Sequence, residues 1–185
     1  MKRKTLALSA ALVCTALPLA IGIAAARDFK SAPPMDQLSE FVGNGVCTGS
    51  VMAMGKTPGH TSTGKYHSEK TLDGHWIVIH YDEDQSARVP KPYHVIQYIS
   101  YDPTKKRFVS VALDNSSPGY SVGTSIGWKQ GDAFTLDETQ VMGGKPVVFR
   151  DTFTRSDSNV STHVGTMRDE HGKWVKTDEE DCKPS

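Results

Sequence analysis

An all-β fold, an antiparallel up-and-down barrel of about ten strands with a short N-terminal helix covering one end, is what this sequence predicts. Three observations carry that reading. The apolar pattern changes from a helical period to strict alternation at Gly45 and keeps it to the end of the chain. The joints between alternating runs hold Gly, Asn, Asp or Pro at short intervals. One cysteine stands near each extremity of the alternating region, Cys47 and Cys182.

Residues 1–26 read as a signal peptide. Lys2, Arg3 and Lys4 precede an apolar run from Leu6 to Ile23, and Ala24-Ala25-Ala26 offers small residues ahead of Arg27. The alternative is an uncleaved anchor, which needs about 20 apolar residues; Pro18 and Gly22 interrupt the run. Cys14 follows Leu12-Val13 and lacks the small residue expected before a lipidated cysteine. The whole chain has 185 residues and equal numbers of basic and acidic side chains, 21 each. Losing three basic residues with the peptide leaves a mildly acidic mature protein with no basic stripe. Nucleic acid is therefore not an expected partner, and the mature protein is expected to have no membrane span. A periplasmic or secreted location follows from the same segment.

Residues 27–34 read as a flexible leader ending in Pro33-Pro34, and residues 35–183 as a single barrel domain. "MDQLSEFVG" puts Met35, Leu38, Phe41 and Val42 on one helical face, with Gly43 as the stop. Two turns of helix are too short to stand alone, so this face is expected to cover an end of the barrel. "GVCTGSVMAM" is the first strand, followed by a Gly/Pro/Thr-rich loop, "GKTPGHTSTG". Nine further alternating runs extend from "KYHSEKTL" to "WVKTDEEDC". No second helical pattern of useful length separates them, which excludes βαβ crossovers.

Export leaves two cysteines, and in an oxidising compartment such a pair is expected to bond; two free buried thiols are the alternative. Closure of the barrel makes its first and last strands neighbours. That brings Cys47 and Cys182 toward the Cα separation of about 4.4–6.8 Å that a disulfide needs. In "YSVGTSIGW", Tyr120, Val122, Ile126 and Trp128 share one face, and Ser121, Gly123, Ser125 and Gly127 share the other. The small face either meets solvent and the packed helix or lines a hollow. "HWIVIHYD" is apolar on both faces, so both sides are expected to be covered.

The phrases "LSEFVGNGVCTG", "LDGHWIVIHY", "YISYDPTKKRFVSVALDN", "SVGTSIGW" and "DEHGKWVKTDEEDC" resemble a bacterial family, DUF1579, over Met35 to Lys183. The resemblance implies a lipocalin-like, calycin-type barrel. Gly45 keeps the family's glycine while Cys47 stands where tryptophan is usual; Asp73-Gly74-His75 keeps the turn with histidine in third place. The family is distantly similar to haem-binding nitrobindin-like barrels, which use an axial histidine. No histidine here falls on a matching motif, so no cofactor is expected.

None of the seven histidines has metal-ligand spacing to another, and no metal site is expected. His80 and His163 are mid-strand and candidates to face a cavity. There is no Gly-x-Ser-x-Gly and no phosphate-cradling loop. "YDEDQ" and "TDEEDC" supply oxygen ligands without calcium-loop spacing, and read as solvated faces. Asp151 stands apart: in "VVFRDTFTR" it shares a face with Val147, Phe149 and Phe153. Burying those aromatics takes a carboxylate inward, where it needs a donor. Arg155 is about 13 Å further along the same face at roughly 3.3 Å per residue, so a cross-strand donor is expected: Tyr98, Tyr120 or a histidine. The expected interior is a modest, mostly apolar cavity holding Asp151, Phe149, Phe153, His80, Tyr98, Tyr120 and His163. Its expected partner is a small apolar ligand or lipid, with the oligomeric state open. An interaction module, and a cavity enzyme using a carboxylate or histidine, are the alternatives; a histidine–carboxylate pair would favour the enzyme.

Overall fold

The structure, a computed structural model, describes residues 33–185 except 56, 116–120, 143–144 and 157–158. The segments 1–26 and 27–32 and the candidate residue Tyr120 lie outside the described residues. Ten strands form one closed antiparallel barrel in which each strand pairs with its sequence neighbour and β1 pairs with β10. They are β1 (Gly43–Val51), β2 (His60–Thr71), β3 (Trp76–Glu83), β4 (His94–Asp102), β5 (Arg107–Asp114), β6 (Ser121–Gln130), β7 (Ala133–Met142), β8 (Lys145–Arg155), β9 (Ser161–Arg168) and β10 (Trp174–Pro184). The expected strands are all present. β2 begins inside the stretch read as a loop, at His60. Gly131 (φ +58°) and Gly172 (φ +77°) close the β6–β7 and β9–β10 turns in the left-handed region, which glycine enters without steric cost.

The N-terminal helix is shorter than two turns. α1 covers Pro33–Asp36, where proline is tolerated in a first turn, and a separate 3-10 turn covers Ser39–Phe41. The break does not change what the segment buries. Met35 and Leu38 are 0% and 1% exposed, and Phe41 and Val42 pack beside them. They close the barrel over Ile77, Ile99, Phe108, Phe134 and Leu136. Phe134 is the centre of this plug, edge-on to Phe108 at 5.2 Å and stacked on Phe153 at 6.1 Å. Gly127 makes room for Leu136 beside it: a Cβ there would lie 2.6 Å from Leu136 Cδ2. The void left among Leu38, Phe41, Ile77, Ile79, Ile99, Phe134 and Phe153 is about 20 Å³, roughly the space of one water.

The β1–β10 seam is bridged as expected. Cys47 and Cys182 are directly opposed in register and joined by a disulfide across 135 positions. Cys182 lies within β10, and Cys47, 2% exposed, faces the interior. On the outer surface Arg150 donates two hydrogen bonds to Asp137, at 2.7 and 2.8 Å. Its guanidinium lies between the Trp128 and Trp174 rings, 5.3 and 4.4 Å from their centroids, tying β6, β7, β8 and β10 together.

Candidate functional site

Strand alternation decides which side chains enter the barrel. In β6 the small residues Gly123, Ser125 and Gly127 face inward, while Val122, Ile126 and Trp128 are 64%, 45% and 39% exposed outside. In β3, Ile77 and Ile79 join the plug and Tyr81 follows on their face, so His80 points outward. With Ile96, Leu113 and Val122, His80 lines a shallow recess of about 390 Å³ on the outer wall. Tyr98 also sits outside, 37% exposed. His80 and Tyr98 are thus not interior residues. β3 and β4 are apolar on both faces, and only the helix plug, by claiming Ile77, Ile79 and Ile99, sets their phase.

Asp151, Phe149 and Phe153 share the inward face of β8, as expected. The donor that Asp151 needs is His163. His163 Nε2 lies 3.1 Å from Asp151 Oδ1, and Nδ1 lies 3.2 Å from Asp178 Oδ2. Its ring stacks on Phe153 at 4.8 Å, where the apolar plug ends. Asp151, Gly165 and Asp178 are aligned across β8, β9 and β10. Gly165 leaves space for the cluster, because a Cβ there would collide with the Asp178 carboxylate. Arg155 does not fold back; it donates to Asn159.

Burial by itself would lower the His163 pKa. The hydrogen bond and charge of Asp151, with the charges of Asp178 and Glu180, outweigh burial and hold it at about 9. At neutral pH both ring nitrogens of this imidazolium are donors, and each faces a carboxylate. It has no lone pair to accept a proton, which removes it as a general base. The pair whose presence was expected to favour an enzyme exists, but its chemistry is that of a fixed cation.

Further polar side chains enter the same half of the barrel, away from the helix. The Tyr81 and Ser62 hydroxyls donate to Glu180 Oε1 at 2.6 and 2.5 Å. Burial and the Glu180 hydrogen bond push the Tyr81 phenol well above its usual range. Glu138 lies over Gly123, where a Cβ would strike its carboxylate, and accepts from Gln140 at 2.9 Å. Burial raises its pKa, with the charges of Asp151 and Asp114 adding to the effect and the bonds from Gln140 and Ser125 opposing it. Glu83 accepts from the Tyr93 backbone N–H and pairs with His60, both at 2.9 Å. Tyr93 is 38% exposed, with its ring 6.4 Å from that of Tyr81; partial burial raises its pKa, and so do the charges of Asp114, Asp151, Glu138 and Asp178.

The expected mostly apolar cavity with few charges is thereby corrected. The apolar part of the interior is filled, and the other part is polar and mainly acidic. Sequence reasoning missed Glu138, Asp178, Glu180 and Tyr81, and read the run Asp178 to Asp181 as solvated. The usable signal was parity: once Cys182 faces the seam's interior, Glu180 and Asp178 share its side of β10. Among the described residues no group of three or more His, Cys, Asp or Glu side chains could hold a metal ion.

The Asp151 and Asp178 side chains keep 33% and 27% of their surface accessible, against 0–3% for most of the plug. An inward side chain in a closed barrel meets solvent only through an open end or an internal space. A closed ten-stranded antiparallel barrel, plugged by a short helix at one end and polar inside at the other, is consistent with a calycin-like fold. The sequence matches the family model described as "Protein of unknown function (DUF1579)" over residues 31–183, and the chain belongs to that family. No curated protein matches it significantly.

Proposed function

We propose that this protein is an exported binding barrel that takes a small polar ligand through the end opposite the helix plug. The observation that carries this reading is the residual accessibility of Asp151 and Asp178 inside a closed wall. The filled plug argues against a lipid in that half of the interior, because a void of about 20 Å³ is far below the roughly 300 Å³ of ordinary ligand sites. Binding is preferred to catalysis because His163 is clamped between two carboxylates. A chemically mixed fragment library, screened by NMR on ¹⁵N-labelled protein, tests the reading. Saturable shifts are expected at the amides of Asp151, Gly165 and Asp178. A library with no hit at those amides would leave the reading without support.

Export is proposed from the basic start and apolar run of residues 1–26, and the disulfide supports it, since such bonds persist in oxidising compartments. Among the described residues no helix is long and apolar enough to cross a membrane. N-terminal sequencing of protein recovered from the periplasm or medium is expected to begin near Arg27; a product retaining Met1 would contradict export by cleavage.

A further inference from the structure

The described interior at the polar end is unbalanced in charge. Glu83, Asp114, Glu138, Asp151, Asp178 and Glu180 stand there against two imidazoles, His163 and His60. An acidic cluster alone is not a site, but a second, independent feature accompanies it. Ser110, 2% exposed, has a hydroxyl without a hydrogen-bond partner. It shares the inward face of β5 with Phe108 and is paired in register with Ser125, which is paired with Glu138. A buried hydroxyl left without a partner costs about 1–3 kcal/mol, and a ligand N–H group beside Glu138 would satisfy it.

Resting on the reading of this end as a ligand entrance, we propose that the ligand is a small organic cation, a primary ammonium or a guanidinium. Glu138, Asp151 and Asp178 act as its counter-ions and the Ser110 hydroxyl as a neutral acceptor. Three physical arguments select this class. The carboxylates are distributed over β7, β8 and β10 instead of converging as metal ligands do, which suits several N–H donors on one organic group. Two aromatic side chains border the acidic groups: Phe149 shares the face of Asp151, and the Tyr93 phenol feels the charges of Asp151, Glu138 and Asp178. Ring faces attract cations. An anion, finally, would enter against six carboxylates and find two imidazoles already engaged, His163 facing a carboxylate on each nitrogen and His60 paired with Glu83.

The test is an NMR titration of the disulfide-bonded mature protein at pH 7 with 1,4-diaminobutane and methylguanidinium. Butanol and butyrate serve as size-matched neutral and anionic probes. Both cations are expected to give saturable shifts at the amides of Asp151, Gly165 and Asp178. Glu138→Gln is expected to weaken them at least tenfold and Ser110→Ala at least threefold. Both variants should keep dispersed spectra, and the outer-wall variant Val122→Thr should bind as the parent does. Saturation by butanol or butyrate at those amides, without the cations, overturns the cation class while leaving the open-end reading standing. Absence of any shift from all four probes overturns the cation proposal, and the fragment screen then decides the open-end reading by itself. Cation shifts that are unaffected in both Glu138→Gln and Ser110→Ala indicate charge screening and also overturn the site.

Discussion

Replacing both Cys47 and Cys182 by alanine is expected to lower the unfolding free energy by about 5 kcal/mol in the chain-entropy picture, the largest single effect in this molecule. The bridge joins residues 135 positions apart, so nearly the whole barrel lies in the loop it closes. Without it, the unfolded chain regains the entropy that the cross-link removes. The native seam itself changes little, because β1 and β10 remain paired from Gly45↔Pro184 to Val51↔Asp178. Equilibrium urea unfolding of the double variant and the oxidised parent measures the difference. A loss below 1 kcal/mol would show that the unfolded barrel is already compact without the bridge. Single variants are expected to be worse in practice, since each leaves a lone thiol in an oxidising medium.

The second large effect is a loss of stability as pH rises from about 6.5 to about 9. His163 is raised from 6.5 when unfolded to about 9 when folded, so the folded state binds the proton more tightly. That contribution is fully present below pH 6.5 and is lost as pH passes through the folded value. At 1.36 kcal/mol per unit it amounts to about 3 kcal/mol. Glu138, whose carboxyl is also raised, adds a loss of the same sign at lower pH. Urea unfolding at pH 6, 7.5 and 9.5 should show the decline, and His163→Gln should flatten its upper part. Asp151→Asn should remove much of the same decline, because the carboxylate that raises His163 becomes a neutral amide. A parent whose stability is level across this range would mean that folding does not raise the His163 pKa.

The two effects differ in how legible their causes were. The disulfide needed only the cysteine positions and the alternation, because barrel closure makes the terminal strands adjacent. Asp151 was legible as an inward carboxylate from its aromatic neighbours, and the argument that Arg155 is too far along the strand holds. His163 was one of several donors that sequence allowed. Strand periodicity says which face a residue takes, while the identity of its cross-strand neighbour depends on register. The pairing of Asp151 with Gly165 sets His163 and Asp178 beside the carboxylate. The bulge between Lys176 and Asp178 resets the phase of β10, so reading back from Trp174 would have sent Asp178 to the wrong side.

The sequence by itself determined the class of fold, the order of its strands, the burial of Met35, Leu38, Phe41 and Val42, and the covalent seam. These depend on local pattern and on the topology that short turns permit. Tertiary structure alone decided the phase of β3 and β4, apolar on both faces, and so turned His80 and Tyr98 outward. It also decided how the interior is shared. The helix plug claims the apolar side chains at one end, and Gly123 and Gly165 leave room at the other for the carboxylates of Glu138 and Asp178. Those charges come from strands far apart in the chain, and only closure of the barrel makes them neighbours.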